Sequence, residues 1–165
     1  MRLPDDMDCV PIIFPPGVVY RYAPGRSGDY AETFLEGFNG ILQIDGYAGY
    51  NRLAKPERKG GDPVRFAYCW AHCRGKLREI FERDGSEIAA EGLRRIAEIY
   101  AIEAKIRGLA ANQRLATRQA KTALLAADFG KWLEVQRRRV SAKSRLGEKL
   151  GYIARHWAGL QTFLV

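Results

Sequence analysis

At 165 residues the chain is long enough for one domain with a real core, and with 47% hydrophobic and 28% charged residues it is globular rather than disordered. Its net charge of +8 favours a polyanionic partner, most simply nucleic acid, though a basic surface also fits a protein with no such partner. No apolar run approaches the roughly 20 residues of a membrane helix, and three cysteines without framework spacing (Cys9, Cys69, Cys73) point to reduced thiols in a cytoplasmic protein rather than a disulfide scaffold.

Residues 1–17 are acidic and proline-rich, with neither a long apolar segment nor a small-residue cleavage site, so no signal peptide is expected. Pro4, Pro11, Pro15 and Pro16 deny a helix or central strand there, leaving at most a short edge strand over Val10–Phe14. Val18–Tyr22, β-branched and aromatic, predicts a strand. A Gly- and Pro-containing loop follows. Ala31–Phe38 then predicts a short helix with Phe34, Leu35 and Phe38 inward and Asp29 as its cap. Ile41–Asp45 is the next strand, and Asn51–Lys55 adds a helical turn before Pro56. Lys55–Asp62 is polar and predicts an exposed connection. Val64–Tyr68 predicts a third strand. From Trp70 the period changes to that of a helix, with Leu77, Ile80 and Phe81 on its inner face. Asp84-Gly85-Ser86 ends this helix and caps the next.

Strand, helix, strand, turn, strand and helix in that order fit an α/β sheet of about three strands with crossovers. After Ser86 no strand is predicted. Ile88, Leu93, Ile96, Ile99, Tyr100 and Ile106 mark one amphipathic helix, broken over Gly108–Asn112. A long helix runs on to about Val140, and Ser141–Ser144 breaks the pattern again. Leu146, Leu150, Ile153, Trp157 and Leu160 then form a core-facing stripe. The second half is therefore a helical hairpin or bundle.

The stretch Gly40-Ile41-Leu42-Gln43-Ile44-Asp45-Gly46-Tyr47-Ala48-Gly49-Tyr50-Asn51 carries the chemistry. Asp45 leaves an apolar strand, and a charge is costly inside a sheet, so it belongs at the rim, where a metal or substrate can approach. Gly46 and Gly49 let the backbone turn sharply. By spacing alone, Asp-Gly after an apolar run is more often a simple turn.

This stretch resembles the second-acid region of transposases of the insertion sequence 66 family. The resemblance extends through Val18–Gly40, Cys69–Phe81, Ile88–Leu109 and Leu146–Leu164, in family order. It implies a ribonuclease-H-like core in which an Asp, Asp, Glu triad holds two divalent metals, Mg2+ or Mn2+, and cleaves and joins transposon DNA. Asp45 matches the second acid and is the expected catalytic and metal-holding residue. On this resemblance residues 1–85 are a partial ribonuclease-H-like core, and 86–165 are the helical insertion subdomain between the second and third acids. Asp5 and Asp6 resemble the first-acid region and a later hairpin about equally, and neither is assigned a role. Glu134 and Glu148 lie within the insertion and do not match the third acid. The chain thus reads as a truncated, inactive transposase fragment; the alternative is a non-enzymatic basic DNA-binding remnant. Homo-oligomers or other transposase subunits are the expected protein partners.

Cys69-Trp70-Ala71-His72-Cys73 lacks the four ligands of a structural zinc site. Trp-Ala-His resembles a family motif beside the active site, which makes His72 a candidate for DNA phosphate or for orienting an acid. Arg74, Lys76 and Arg78 lie nearer that site than Arg137-Arg138-Arg139 and are the better DNA-binding candidates. The arginine triplet is read as a solvated helix face, and Trp132 and Trp157 as core residues.

Overall fold

The computed structural model describes residues 17–165. The expectations for the proline-rich start, Asp5, Asp6 and Cys9 fall on residues outside that range.

Among the described residues the sheet has two strands rather than about three. β1 (Ile41–Ile44) and β2 (Arg65–Tyr68) run parallel, with Ile41 opposite Arg65 and Ile44 opposite Tyr68. A parallel pair needs a crossover. Here it contains a 3-10 turn, Ala48–Ala54, whose Leu53 is fully buried and whose Leu53 carbonyl accepts the Val64 N–H at 2.8 Å. The predicted strand Val18–Tyr22 is not formed. Val18 and Tyr20 are 76% and 92% exposed. β-branched and aromatic residues favour strands through packing on a neighbour, and no described strand pairs with this segment.

Helix α1 (Gly28–Phe34) starts earlier than predicted. Ser27, not Asp29, caps it, its hydroxyl accepting the Asp29 N–H at 3.3 Å. Phe34 is exposed, while Leu35 and Phe38 are half-buried beyond the helix end. The connection predicted as exposed also needs correction at Arg58, which is only 7% exposed. Its guanidinium donates to the carbonyls of Leu35, Phe38 and Asp62 and so staples the crossover to the segment after α1.

The helical half follows its periodicity closely. α2 (Trp70–Asp84) ends at Gly85, whose φ of +62° suits glycine. α3 (Glu87–Ile106) is capped by Ser86, which accepts the Ala89 N–H at 3.3 Å. The predicted long helix is α4 (Ala111–Thr117) and α5 (Ala123–Arg139), joined by one π-type turn over Arg118–Thr122. Ser144 caps α6 (Arg145–Arg155), and α7 (Trp157–Leu160) leads into a 3-10 turn over Thr162–Leu164. Phe81, expected inward, is 43% exposed.

The core joins Trp70, Cys73 and Leu77 of α2 to Ile96 and Ile99 of α3, Phe129 and Leu133 of α5, and Leu150, Ile153 and Leu160 beyond them. It therefore draws on residues from both sides of position 85. Trp70 Nε1 donates to the Leu160 carbonyl at 2.7 Å, and Thr162 Oγ1 donates to the Phe66 carbonyl at 3.0 Å, so the last turns close over β2. The result is a mostly helical α/β arrangement around a small parallel sheet. No described helix is long and apolar enough to cross a membrane.

Candidate functional site

In open parallel sheets, ligands gather beyond the carboxyl ends of the strands. The register places Ile44 opposite Tyr68, so Asp45 and Cys69 leave the sheet at one level, and the Cys69 N–H donates to the Ile44 carbonyl at 3.2 Å. Asp45 is exposed at this rim. Its Oδ1 accepts the Tyr47 N–H at 2.9 Å, an Asx turn that orients the carboxylate. Among the described residues no cation is ion-paired with it and no donor reaches Oδ2.

One side of the rim opens into a cleft of about 920 Å³ whose lining includes Tyr20, Tyr22, Ile44, Asp45, Tyr47 and Tyr50. The rings of Tyr47 and Tyr50 meet edge to face at 5.8 Å, and the Arg26 guanidinium lies 4.8 Å from the Tyr47 ring.

The other side is built by α2 and α6. His72 and Lys76 are one helical turn apart and share a face of α2. His72 is exposed with its ring 6.3 Å from that of Tyr152, and the Lys76 Nζ lies 4.2 Å over the same Tyr152 ring. The Tyr152 hydroxyl in turn donates to the Asp45 carbonyl. Asp45, His72 and Lys76 are thus gathered around one tyrosine. By helical geometry Arg74 sits about 160° and Arg78 about 120° around α2 from His72. Arg78 is paired with Glu82 at 2.6 Å.

Two rim residues, Tyr152 and His156, were not among the sequence candidates. They stand four apart on α6 and its C-cap, each one position before a member of the stripe read as core (Ile153, Trp157), and no local signal sets them apart. His156 is sandwiched between Tyr68 at 4.1 Å and Tyr152 at 4.3 Å. Its Nδ1 lies 2.9 Å from the Tyr152 carbonyl, which can only accept, so Nδ1 carries the proton and Nε2 the lone pair in the neutral ring. Burial holds the imidazole below its ordinary pKa, with Arg155 and Lys76 acting in the same direction, against the pull of the Tyr152 carbonyl. Burial likewise raises Tyr152 to about 12 and Cys73 to about 12, so both keep their protons at neutral pH.

Among the described residues no three His, Cys, Asp or Glu side chains group closely enough to hold a metal. A two-metal cage therefore does not fit these residues alone. At this rim the described residues offer one carboxylate, that of Asp45.

The chain matches the family model described as "Transposase IS66 family" over residues 6–165. It is 38% identical over 151 residues to uncharacterized protein y4jD of Sinorhizobium fredii, covering 91% of this chain and 30% of that protein. Proteins y4qI and y4hP of the same organism are 35% and 36% identical, with 91% of this chain and 28% and 29% of theirs covered. The chain thus spans under a third of the length of these relatives. No solved structure matches it.

Proposed function

The chain belongs to the IS66 transposase family, and from that premise we propose that its sheet rim is part of a ribonuclease-H-like catalytic core acting on transposon DNA, with Asp45 as a metal-holding acid. The observation that carries this reading is the exposed, oriented and unpaired Asp45 carboxylate at the exit of a parallel strand. A divalent cation bound there would supply charge neutralisation for an in-line attack on a phosphodiester. The protein's own residues do the remaining work. The Asx turn aims the carboxylate. His72 and Lys76 lie on the DNA-facing side as donors to phosphate oxygens, and Arg74 and Arg78 extend basic character along the rest of α2. Among the described residues Asp45 is the acid at the rim, and the reading expects DNA and metal binding there.

The test is Mn2+ titration followed by NMR. Line broadening should begin at the Gly46 and Tyr47 amides and vanish in Asp45→Asn. Equal broadening in the native and Asp45→Asn proteins would remove Asp45 from this role.

A second reading, a basic DNA-binding protein with no metal requirement, is favoured by the net charge of +8 and by the absence, among the described residues, of a group of three metal-ligating side chains. A gel shift that weakens steeply with salt, ignores Mg2+ and is unchanged by Asp45→Asn would select it.

A further inference from the structure

We propose that the groove between the end of α5 and α6 is a docking surface for the phosphate backbone of duplex DNA, with Arg137 and Arg155 on its two sides and Arg138, Arg139 and Lys143 beside it. The inference rests on the reading of this chain as one that acts on DNA, and it needs no metal.

The charge of the protein is unevenly placed. Residues 111–165 hold 11 of the 27 lysines and arginines but 3 of the 19 aspartates and glutamates, and residues 1–110 hold 16 of each. The whole net charge of +8 therefore belongs to the last third of the chain. A solvated helix face explains Arg137, Arg138 and Arg139 taken one at a time, and cations in the last turn of α5 also suit its carbonyl end. Neither explains a fourth arginine brought to the same place from another helix.

That place is a groove of about 570 Å³, lined by Arg137 and Val140 from the end of α5 and by Gly147, Gly151 and Arg155 from α6, with Glu148 as its one acid. Gly147, Gly151 and Arg155 recur every fourth residue and so share a face of α6. Gly147 sits so close to the Ser141 carbonyl that a Cβ there would clash, which holds the two helices in a fixed hairpin. Gly151 leaves an open floor, where an added Cβ would meet no neighbouring atom within 4 Å.

Arg137, Arg138, Arg139, Lys143 and Arg155 are all exposed. Arg137 pairs with Glu134 at 2.9 Å, and among the described residues the other four make no ion pair. Unpaired cations around a glycine floor let a polyanion approach closely, and duplex DNA presents one charge per about 1.7 Å of its axis. By helical geometry Arg155 lies about 60° around α6 from Tyr152, whose hydroxyl donates to the Asp45 carbonyl. The groove and the rim thus occupy neighbouring faces of one helix.

The test is fluorescence anisotropy of the full chain with a labelled random-sequence duplex, titrated in EDTA over a range of NaCl. In Arg137→Gln/Arg155→Gln the slope of log affinity against log salt should fall by about 2, and binding at low salt should weaken by about tenfold to a hundredfold, the loss of two phosphate contacts. Lys59→Gln/Arg107→Gln removes the same charge from exposed positions in the electrically balanced part of the chain, and should leave both as in the native protein. Gly151→Glu should weaken binding by about threefold and Gly151→Lys tighten it by about as much, the effect of one charge at roughly 6 Å in water. Neither should lower the thermal midpoint, since glycine is the poorer helix former. A native slope in Arg137→Gln/Arg155→Gln, or equal losses there and in Lys59→Gln/Arg107→Gln, overturns the groove. If His72→Ala/Lys76→Gln then abolishes binding, the DNA reading survives at the rim without it. A native protein that binds no duplex at low salt overturns both, and tighter binding of duplex RNA than of duplex DNA overturns DNA as the occupant. Should Arg137→Gln/Arg155→Gln unfold, the two Gly151 variants decide: opposite shifts support the groove and equal affinities overturn it.

Discussion

Gly46 is where local and long-range demands meet. Its positive φ and the hydroxyl 2.7 Å from where a Cβ would sit both exclude a side chain. Gly46→Ala should therefore cost more than the usual penalty at a left-handed position: about 1–3 kcal/mol of strain plus displacement of Tyr152, read as a lower denaturant midpoint. His156 gives a pH signature. Its folded pKa is depressed, so between that value and the unfolded value near 6.5 the unfolded chain binds more protons, and stability falls as pH drops below about 6.5. His156→Gln should flatten that limb in urea melts between pH 7 and 5. Asp-Gly after an apolar run was legible as a turn or a rim acid. The long-range partner of that turn, Tyr152, was not, because nothing in local spacing links residues 107 apart.

At the scale of the elements, the helices from α2 onward followed their sequence signals, α1 began earlier than its signals predicted, and one strand did not form. Gly85 and Ser86 stop α2 and start α3 as their residue types dictate, because both act through groups within one turn of themselves. Ser86→Ala should cost about 1 kcal/mol in chemical denaturation, with α2 unaffected. Val18–Tyr22 had every compositional mark of a strand and forms none, since a strand exists only in pairing with another. Helix α2 shows a subtler gain from structure. Four candidate residues within seven positions split between two faces, and only His72 and Lys76 turn toward Asp45's neighbour Tyr152.

At the scale of the whole molecule, the sheet is held by the helices rather than the reverse. Two four-residue parallel strands are too few to stand alone, and the bonds from Trp70 to Leu160 and from Thr162 to Phe66 bring the final turns onto β2. Phe129 is fully buried and stacks at 5.8 Å on Trp157, so Phe129→Ala should cost about 3–5 kcal/mol and disturb amide shifts at the Asp45 rim as well as in the helices. The sequence by itself determined the helical half, the apolar stripes, the turn at Asp45 and the family, because periodicity, caps and motif order are written in neighbouring residues. Only the tertiary structure decided that the sheet has two described strands, that Arg58 is buried against three carbonyls, and that α6 reaches back to grip the acid. Each of these is a contact between distant segments, and its energy depends on which partner the fold delivers.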